Sequence, residues 1–371
     1  MRMKQRIIMA LSPAPGAFTP VPMSADTRFQ TLHEWLARDL GLSVRDLRPA
    51  SADASFRRYF RLWNAAGDTF IAMDAPPAHE DLGLYLRVSR LLESCAVHVP
   101  HVHAQDLPRG FALLEDLGSR HMLTALNEGE DPARLYAEAL DELLRLQLAG
   151  DTASRQLPAY DHAVLMREMQ LLPDWYCRRH LQFEPDAAEA RLLADTFEWL
   201  AREALAQPLV FVHRDYHSRN LMMTSARSPG VIDFQDALRG PVGYDLASIL
   251  KDCYVDWPRA RVEGWLADFR ANLLAGGAQG RRLAGDSDAQ FLRWFDLIGL
   301  QRHIKVLGIF ARLNWRDGKP GYLADLPRTL QYVREAAGLY PELAAFSRFV
   351  EERLVPGLAE ANARALAAPR A

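Results

Sequence analysis

The sequence predicts an α+β chain of two lobes: a small antiparallel-sheet N-lobe, then a large, mainly helical C-lobe. Three observations support this. Residues 26–117 alternate short strand-like runs with two helical patterns. After Gly118 the texture changes, and long helical patterns dominate. One pair of apolar hairpins, carrying His213–Asn220 and Asp233, interrupts those helices.

Taken in order, residues 26–40 carry Phe29, Leu32, Trp35, Leu36 and Leu40 at helical spacing, with Asp26 as N-cap. Gly41 stops that helix. A small-residue turn, Ser51–Ser55, joins strand-like segments. Phe56–Trp63 and Thr69–Met73 read as strands, Asp81–Cys95 as a helix, and Val97–Val102 and Gly110–Leu114 as further strands. Helical patterns follow at 131–149, 160–181, 187–206, 244–255, 289–313 and 341–354. The division expected is a probable leader at 1–25, an N-lobe at 26–117, a C-lobe at 118–358 and a tail at 359–371. The cleft between lobes is the expected ligand site.

The first 25 residues read as an appendage. Ile7–Leu11 is too short for a signal core or a membrane span, and Pro13, Pro15, Pro20 and Pro22 argue against regular structure. Met23 is a second possible start. The cytoplasm is the expected compartment.

Composition is that of a soluble globular protein: 371 residues, 49% hydrophobic and 25% charged. A net charge of −3 gives no reason to expect nucleic acid or a membrane surface as partner. Cys95, Cys177 and Cys253 lie far apart and form no C-x-x-C pair, which fits a reducing compartment. Lysine is scarce: Lys4, Lys251, Lys305 and Lys319 are all there are.

The chemistry is concentrated in His213-Arg214-Asp215-Tyr216-His217-Ser218-Arg219-Asn220, which matches H-R-D-x-x-x-x-N. Leu209–Val212 delivers this loop and Leu221–Met223 leaves it. A turn at Ser225–Gly230 returns the chain along Val231-Ile232 to Asp233. Such spacing suits phosphoryl transfer. Asp215 would take the proton of an attacking hydroxyl, and Asn220 and Asp233 would hold Mg²⁺ on the phosphates of ATP. His213 and His217 also spell H-x-x-x-H. The loop context and the missing glutamate disfavour zinc. His98, His101 and His103 cluster without an evident acidic partner and read as strand-edge residues.

The chain resembles the aminoglycoside phosphotransferase/choline kinase superfamily over nearly its full length. That superfamily has a bilobal, protein-kinase-like fold. Within it, the chain resembles the bacterial amino-sugar kinases of cell-wall recycling. Asp53–Tyr59, Met73–Pro77, Phe211–Leu221, Val231–Ala237, Gly240–Leu246 and Gln301–Leu313 carry the resemblance. It implies ATP- and Mg²⁺-dependent phosphorylation of the anomeric 1-hydroxyl of N-acetylmuramate or N-acetylglucosamine. The sugar 1-phosphate would pass to a uridylyltransferase in peptidoglycan recycling.

The resemblance also assigns roles. Ser55, in the turn at 52–55, would bind phosphate. Gly110–Gly118 would be the hinge, with backbone near Glu115 and Leu117 facing adenine. Asp245 would both cap its helix and brace the catalytic loop, and His213 would be structural. His217, Arg219, Asp236, Arg302 and Lys305 are candidates for the acceptor side. Arg302 and Lys305 belong to a basic stripe with Arg312 and Arg316 that would line the cleft and meet a sugar carboxylate.

One departure from the kinase pattern is plain. The phosphate-binding lysine of the third strand is missing, since the chain has no lysine between Lys4 and Lys251. An arginine of the 57–61 strand would replace it, with Arg58 the first choice, Arg57 the second and Arg61 more remote. Strand alternation puts Arg57 and Arg61 on one face and Arg58 on the other. Rival readings are an aminoglycoside or other small-molecule phosphotransferase, or an inactive nucleotide-binding regulator. The basic stripe disfavours polycationic acceptors, and an intact Asp215–Asn220–Asp233 set disfavours the regulator. A protein kinase is disfavoured because only six residues separate Asp233 from Gly240.

Overall fold

The computed structural model describes residues 26–51 and 56–368. The expected leader, the turn at 52–55 and residues 369–371 lie outside them.

Asp26 caps α1 (Thr27–Glu34), accepting the Phe29 N–H at 3.0 Å, and the helix continues as a π turn at Trp35–Asp39. The small sheet has five antiparallel strands: β1 (Val44–Ser51), β2 (Arg58–Asn64), β3 (Thr69–Asp74), β4 (Val102–Asp106) and β5 (Phe111–Glu115). Their order is β1-β2-β3-β5-β4. Helix α2 (Leu82–Ser94) crosses between β3 and β4, capped by Asp81.

The sheet buries both faces. Leu47, Phe60, Leu62, Ala72, Phe111 and Leu113 pack against Leu32, Trp35 and Leu36 of the first helix in a small separate core. Met73, Ala112 and Leu114, on the opposite face, join α2 in the main core, which continues into the helical lobe.

One expectation about this lobe needs correction. The strand expected at 97–102 begins only at Val102. Pro100 has no N–H, and the backbone before Val102 pairs elsewhere: His98 N–H to Glu142, and Val231 N–H to the His98 carbonyl at 2.7 Å. β1 is the strand-like segment expected before the small-residue turn. It lies at the sheet edge, with a register shift at Pro49–Ser51.

The helical lobe contains α3 (Met122–Asn127), α4 (Pro132–Ala149), α5 (Asp151–Ser154), α6 (His162–Met169) and a π segment at Leu172–Leu181. It continues with α7 (Ala187–Leu205), which opens on an Asp186/Glu189 capping box. Strands β6 (Leu209–Val212) and β9 (Leu238–Pro241) pair, as do β7 (Leu221–Met222) and β8 (Gly230–Val231). After α8 (Tyr244–Leu250) come α9 (Arg259–Ala275), α10 (Gly277–Leu283), α11 (Asp288–Trp315), α12 (Leu326–Leu339), α13 (Ala344–Phe349) and α14 (Leu358–Ala367). Helices α9 and α12 fall outside the stretches expected to be helical.

The stretch expected as a tail is instead mostly α14. It buries Ala361 and Ala365, and Asn362 meets the His180 ring at 2.9 Å. Helix α11 is the axle of the lobe. From Asp296 to Gly308 every residue is buried, so there is no polar face. At Gly308 a side chain would strike the Leu171 backbone at 2.4 Å, so glycine permits the close approach of the π segment.

Candidate active site

The four apolar residues of β6 end at His213, and β9 beside them brings the start of α8 against the loop. Asp245 lies in the first turn of α8 and does not cap it. Its two carboxylate oxygens accept the N–H groups of His213 at 2.7 Å and Arg214 at 3.0 Å. The expected capping role is therefore replaced by the brace alone. Burial pushes Asp245 up to about 7, against the lowering effect of those two donors.

The His213 ring joins the loop to the second hairpin. Nε2 donates to the Ile232 carbonyl at 3.1 Å, and Nδ1 accepts the Asp215 N–H at 3.2 Å. One ring nitrogen must donate and the other accept, so the imidazole is neutral. Burial agrees, pushing it down to about 4. Asn220 donates to the Asp215 carbonyl at 2.9 Å, which leaves its Oδ1 uncommitted. Arg214 and Asp233 both have left-handed backbone, at φ 77° and 62°. Non-glycine residues rarely adopt it, and strain of this kind gathers at functional sites.

Burial disfavours charge on Asp215, but Lys305, His217, Arg302 and Arg214 outweigh it and hold the carboxyl below its usual range. Behind these side chains lies a buried polar network. Glu168 pairs with Arg214, with Lys305 at 3.1 Å and with the Tyr160 hydroxyl, and accepts from Gln301 at 3.2 Å. Lys305 also donates to the Tyr244 hydroxyl at 3.1 Å. Burial again opposes ionisation of Glu168, and Lys305 and Arg214 keep its carboxyl low.

This placement corrects the expectation of a basic stripe lining the cleft. Lys305 is committed to Glu168 and Tyr244. Arg302 is buried, with its guanidinium 3.9 Å from the Cys253 sulfur. Arg316 pairs with Asp317. The charges on α11 act on the site from beneath it.

On the sheet side, alternation separates the three arginines as expected, and the cleft takes the face of Arg57. Its guanidinium lies 3.5 Å from Asp233 and 3.6 Å from Glu80. The preference for Arg58 is reversed. Arg58 points to the opposite face and binds Asp74 at 2.5 Å and Asp26, beside Arg28. Arg61 forks onto Asp116 at 2.7 and 2.9 Å and reaches the Gly118 carbonyl at 2.8 Å, which pins the hinge. At that hinge the Glu115 N–H is already taken by the His101 carbonyl at 2.8 Å, and the side chain accepts the His101 N–H. Leu117 is buried against Gly230, where a side chain would meet it at 2.6 Å. Of the two expected adenine contacts, only Leu117 keeps an uncommitted N–H.

The acceptor-side candidates separate. The His217 ring stands edge-on to Tyr254 at 5.4 Å, with its Nδ1 buried and without a partner. Arg219 is exposed and lies over the same Tyr254 ring at 3.7 Å. Asp236 is not with them. It lines a cavity of about 300 Å³ on the nucleotide side, together with Arg57, Met73, Glu80, Tyr85 and Gln235. Of the three clustered histidines, His98 turns away to the Arg227 carbonyl, while the His101 and His103 rings meet edge-on at 5.0 Å, His101 facing Glu93 at 3.6 Å and His103 packing on Phe70.

Sequence reasoning missed four residues. Glu80 and Glu168 pair with Arg57 and Arg214. Asp252 holds the Ser218 N–H at 2.9 Å and its hydroxyl at 2.5 Å. Tyr254 is the platform for His217 and Arg219. The helix expected to run to 255 stops at Leu250, which frees the last two. A carboxylate in an otherwise apolar helical pattern was the only signal for Glu168.

The oxygen set suits a hard cation. Asp233 is part-exposed in the cleft and Asn220 retains Oδ1, so both can offer oxygen.

The phosphotransferase enzyme family model matches residues 46–285. A Pseudomonas putida protein named N-acetylmuramate/N-acetylglucosamine kinase is 46% identical over 337 residues, covering 88% of this chain and 97% of its own. A protein of the same name from Neisseria meningitidis serogroup B is 42% identical over 322 residues, covering 84% and 92%. Among solved structures, a choline kinase from Streptococcus pneumoniae superposes with TM-score 0.56 at 12% identity, covering 83% of this chain and 100% of its own. A spectinomycin phosphotransferase in complex with ADP and spectinomycin gives 0.54 at 14%, covering 87% and 98%. These two support the fold.

Proposed function

The chain belongs to the phosphotransferase enzyme family, and from that premise we propose that it moves the γ-phosphoryl group of ATP onto the anomeric 1-hydroxyl of N-acetylmuramate or N-acetylglucosamine. The observation that carries the chemistry is the wiring of the loop. Asp245 fixes the backbone of His213 and Arg214, and the His213 ring fixes that of Asp215 and ties it to the strand that ends on Asp233. The choice of sugar is supported by the names of the relatives.

In this reading Asp215 is the base. Its low carboxyl stays ionised, orients the sugar hydroxyl and takes its proton as the oxygen attacks phosphorus. Asn220 and Asp233 hold Mg²⁺, which when bound neutralises charge on the phosphates. Arg57 supplies the positive charge of the absent lysine, and its fork suits phosphate. Leu117 offers its backbone to adenine, and Ser55 remains a candidate phosphate ligand. His217, with its uncommitted Nδ1, and Arg219 border the acceptor. Arg302 and Lys305 favour an anionic acceptor from below. The product is an acid-labile sugar 1-phosphate, the substrate class of a uridylyltransferase. Among the described residues no helix is long and apolar enough to cross a membrane. The three cysteines are free and buried, which suits the cytoplasm.

The test is ADP release against N-acetylmuramate, N-acetylglucosamine, choline, aminoglycosides and homoserine, with Mg²⁺ present. Turnover should concentrate on the amino sugars and be lost when the anomeric hydroxyl is blocked. Preference for choline or an aminoglycoside would overturn the sugar assignment. Nucleotide binding with no turnover on any acceptor would favour a regulator.

A further inference from the structure

We propose that Glu80 is a positioning residue for the nucleotide phosphates, holding both Arg57 and the backbone of Phe56 in the cleft. The proposal rests on the reading of the chain as an ATP-dependent kinase.

In kinase-type sites a lysine of the third strand is held by a glutamate of the following helix. Here β3 offers Met73 and Asp74 at its end. Met73 is fully buried on the cleft face, and Asp74 faces the other way, bonded to Arg28 and Arg58. The cation therefore comes from a different strand, and a different carboxylate must hold it. Glu80 does so from the turn before α2.

Its two oxygens divide the work. One accepts the Phe56 N–H at 3.3 Å, and the other meets the Arg57 Nε at 3.6 Å. The far side of the same guanidinium lies 3.5 Å from Asp233. An arginine fork can span two carboxylates in this way, whereas a lysine presents one point.

The turn that carries Glu80 is itself held. The His79 and Glu80 N–H groups both bond the Pro76 carbonyl at 2.9 Å, and Asp81 caps α2. The His79 ring stacks on exposed Phe56 at 4.5 Å. The residues that follow the expected phosphate-covering turn are thus clamped to the start of α2 at two points. When Asp233 turns to a cation, Glu80 remains to keep Arg57 in place.

The experiment compares E80Q, E80D, R57M and the E80Q/R57M pair in the full chain. MgATP binding is measured by calorimetry without acceptor, and steady-state kinetics are measured with the sugar. Melting temperatures report that each variant is folded. E80Q should weaken MgATP binding about fivefold to tenfold, on the scale of one part-buried ion pair. It should raise the KM for ATP and leave the KM for the sugar unchanged, and E80D should recover part of the loss. The double variant should be no worse than R57M, because Glu80 acts through Arg57. E80Q with unchanged MgATP affinity, or losses that multiply in the double variant, would overturn the proposal. So would unchanged MgATP affinity in R57M. These failures are distinct from failure of the kinase reading, in which the parent chain itself phosphorylates no acceptor.

Discussion

The floor and the roof of the cleft both place charge beside the phosphates, by opposite means. On the floor, Asp215 is set by backbone bonds to His213 and Asn220, with Asp245 holding the two residues before it, above a buried network of Glu168, Lys305 and Arg214. On the roof, Arg57 is paired through its side chain, at 3.5 and 3.6 Å from two carboxylates. The difference follows from the two tasks. A base must meet one proton on one attacking oxygen, so a small displacement costs rate. Neutralising phosphate charge tolerates more freedom, and a long side chain can supply it from a neighbouring strand.

The floor should be the less forgiving of the two. Asp215→Asn should lower turnover by about 10²–10⁴-fold while changing MgATP affinity less than about threefold. Turnover above about a tenth of the parent's would break the comparison at its strongest point. Next, Asp233→Ala should lower turnover on the order of 100-fold and abolish the Mg²⁺ dependence of nucleotide binding. MgATP titrations identical to the parent's would remove Asp233 from the metal site.

The roof should respond more mildly and only at one of its arginines. Arg57→Met should raise the KM for ATP by about tenfold, with partial rescue by Arg57→Lys. Arg58→Met should change that KM by less than about threefold and appear instead as lost stability, about 1–3 kcal/mol, because it leaves buried Asp74 to Arg28 alone. Equal kinetic effects at both positions would contradict the two-faced strand.

The smallest effect tests burial itself, away from the cleft. Like His213 on the floor, His180 is pushed down to about 4 by burial, with Nε2 bonded to Asn362 and Nδ1 accepting from Trp315. An unfolded histidine titrates near 6.5. Below that, the unfolded chain binds a proton that the folded chain refuses, so stability present at pH 7 is lost as pH falls. Each such histidine accounts for up to about 2 kcal/mol at pH 5. Asp245, raised to about 7, works in the opposite sense over the same window and offsets one histidine. His180→Gln should therefore flatten the fall in melting temperature between pH 7 and pH 5 and leave turnover unchanged. An unaltered slope would refute the buried neutral histidine.

Much was legible in the sequence because it is locally encoded. The apolar run Leu209–Val212, the turn before Gly230 and the spacing from His213 to Asp233 each depend on neighbours within a few residues. The two-lobe order and the cap at Asp26 were readable for the same reason, as was the separation of Arg57 from Arg58 by strand alternation. Tertiary structure decided what those faces meet. One side of the sheet is covered by α1 and the other by α2 and the helical lobe, and only that packing sends Arg57 to the cleft and Arg58 to Asp74. It also buried Lys305 and Arg302, which a helical stripe alone would leave at a surface, and docked α14, which composition alone leaves as a tail. The physical reason is common to all of these. A side chain's direction follows from its own backbone, but its partner and its access to water are set by elements far away in the chain, and these determine whether a charge binds substrate, braces a loop or supports a core.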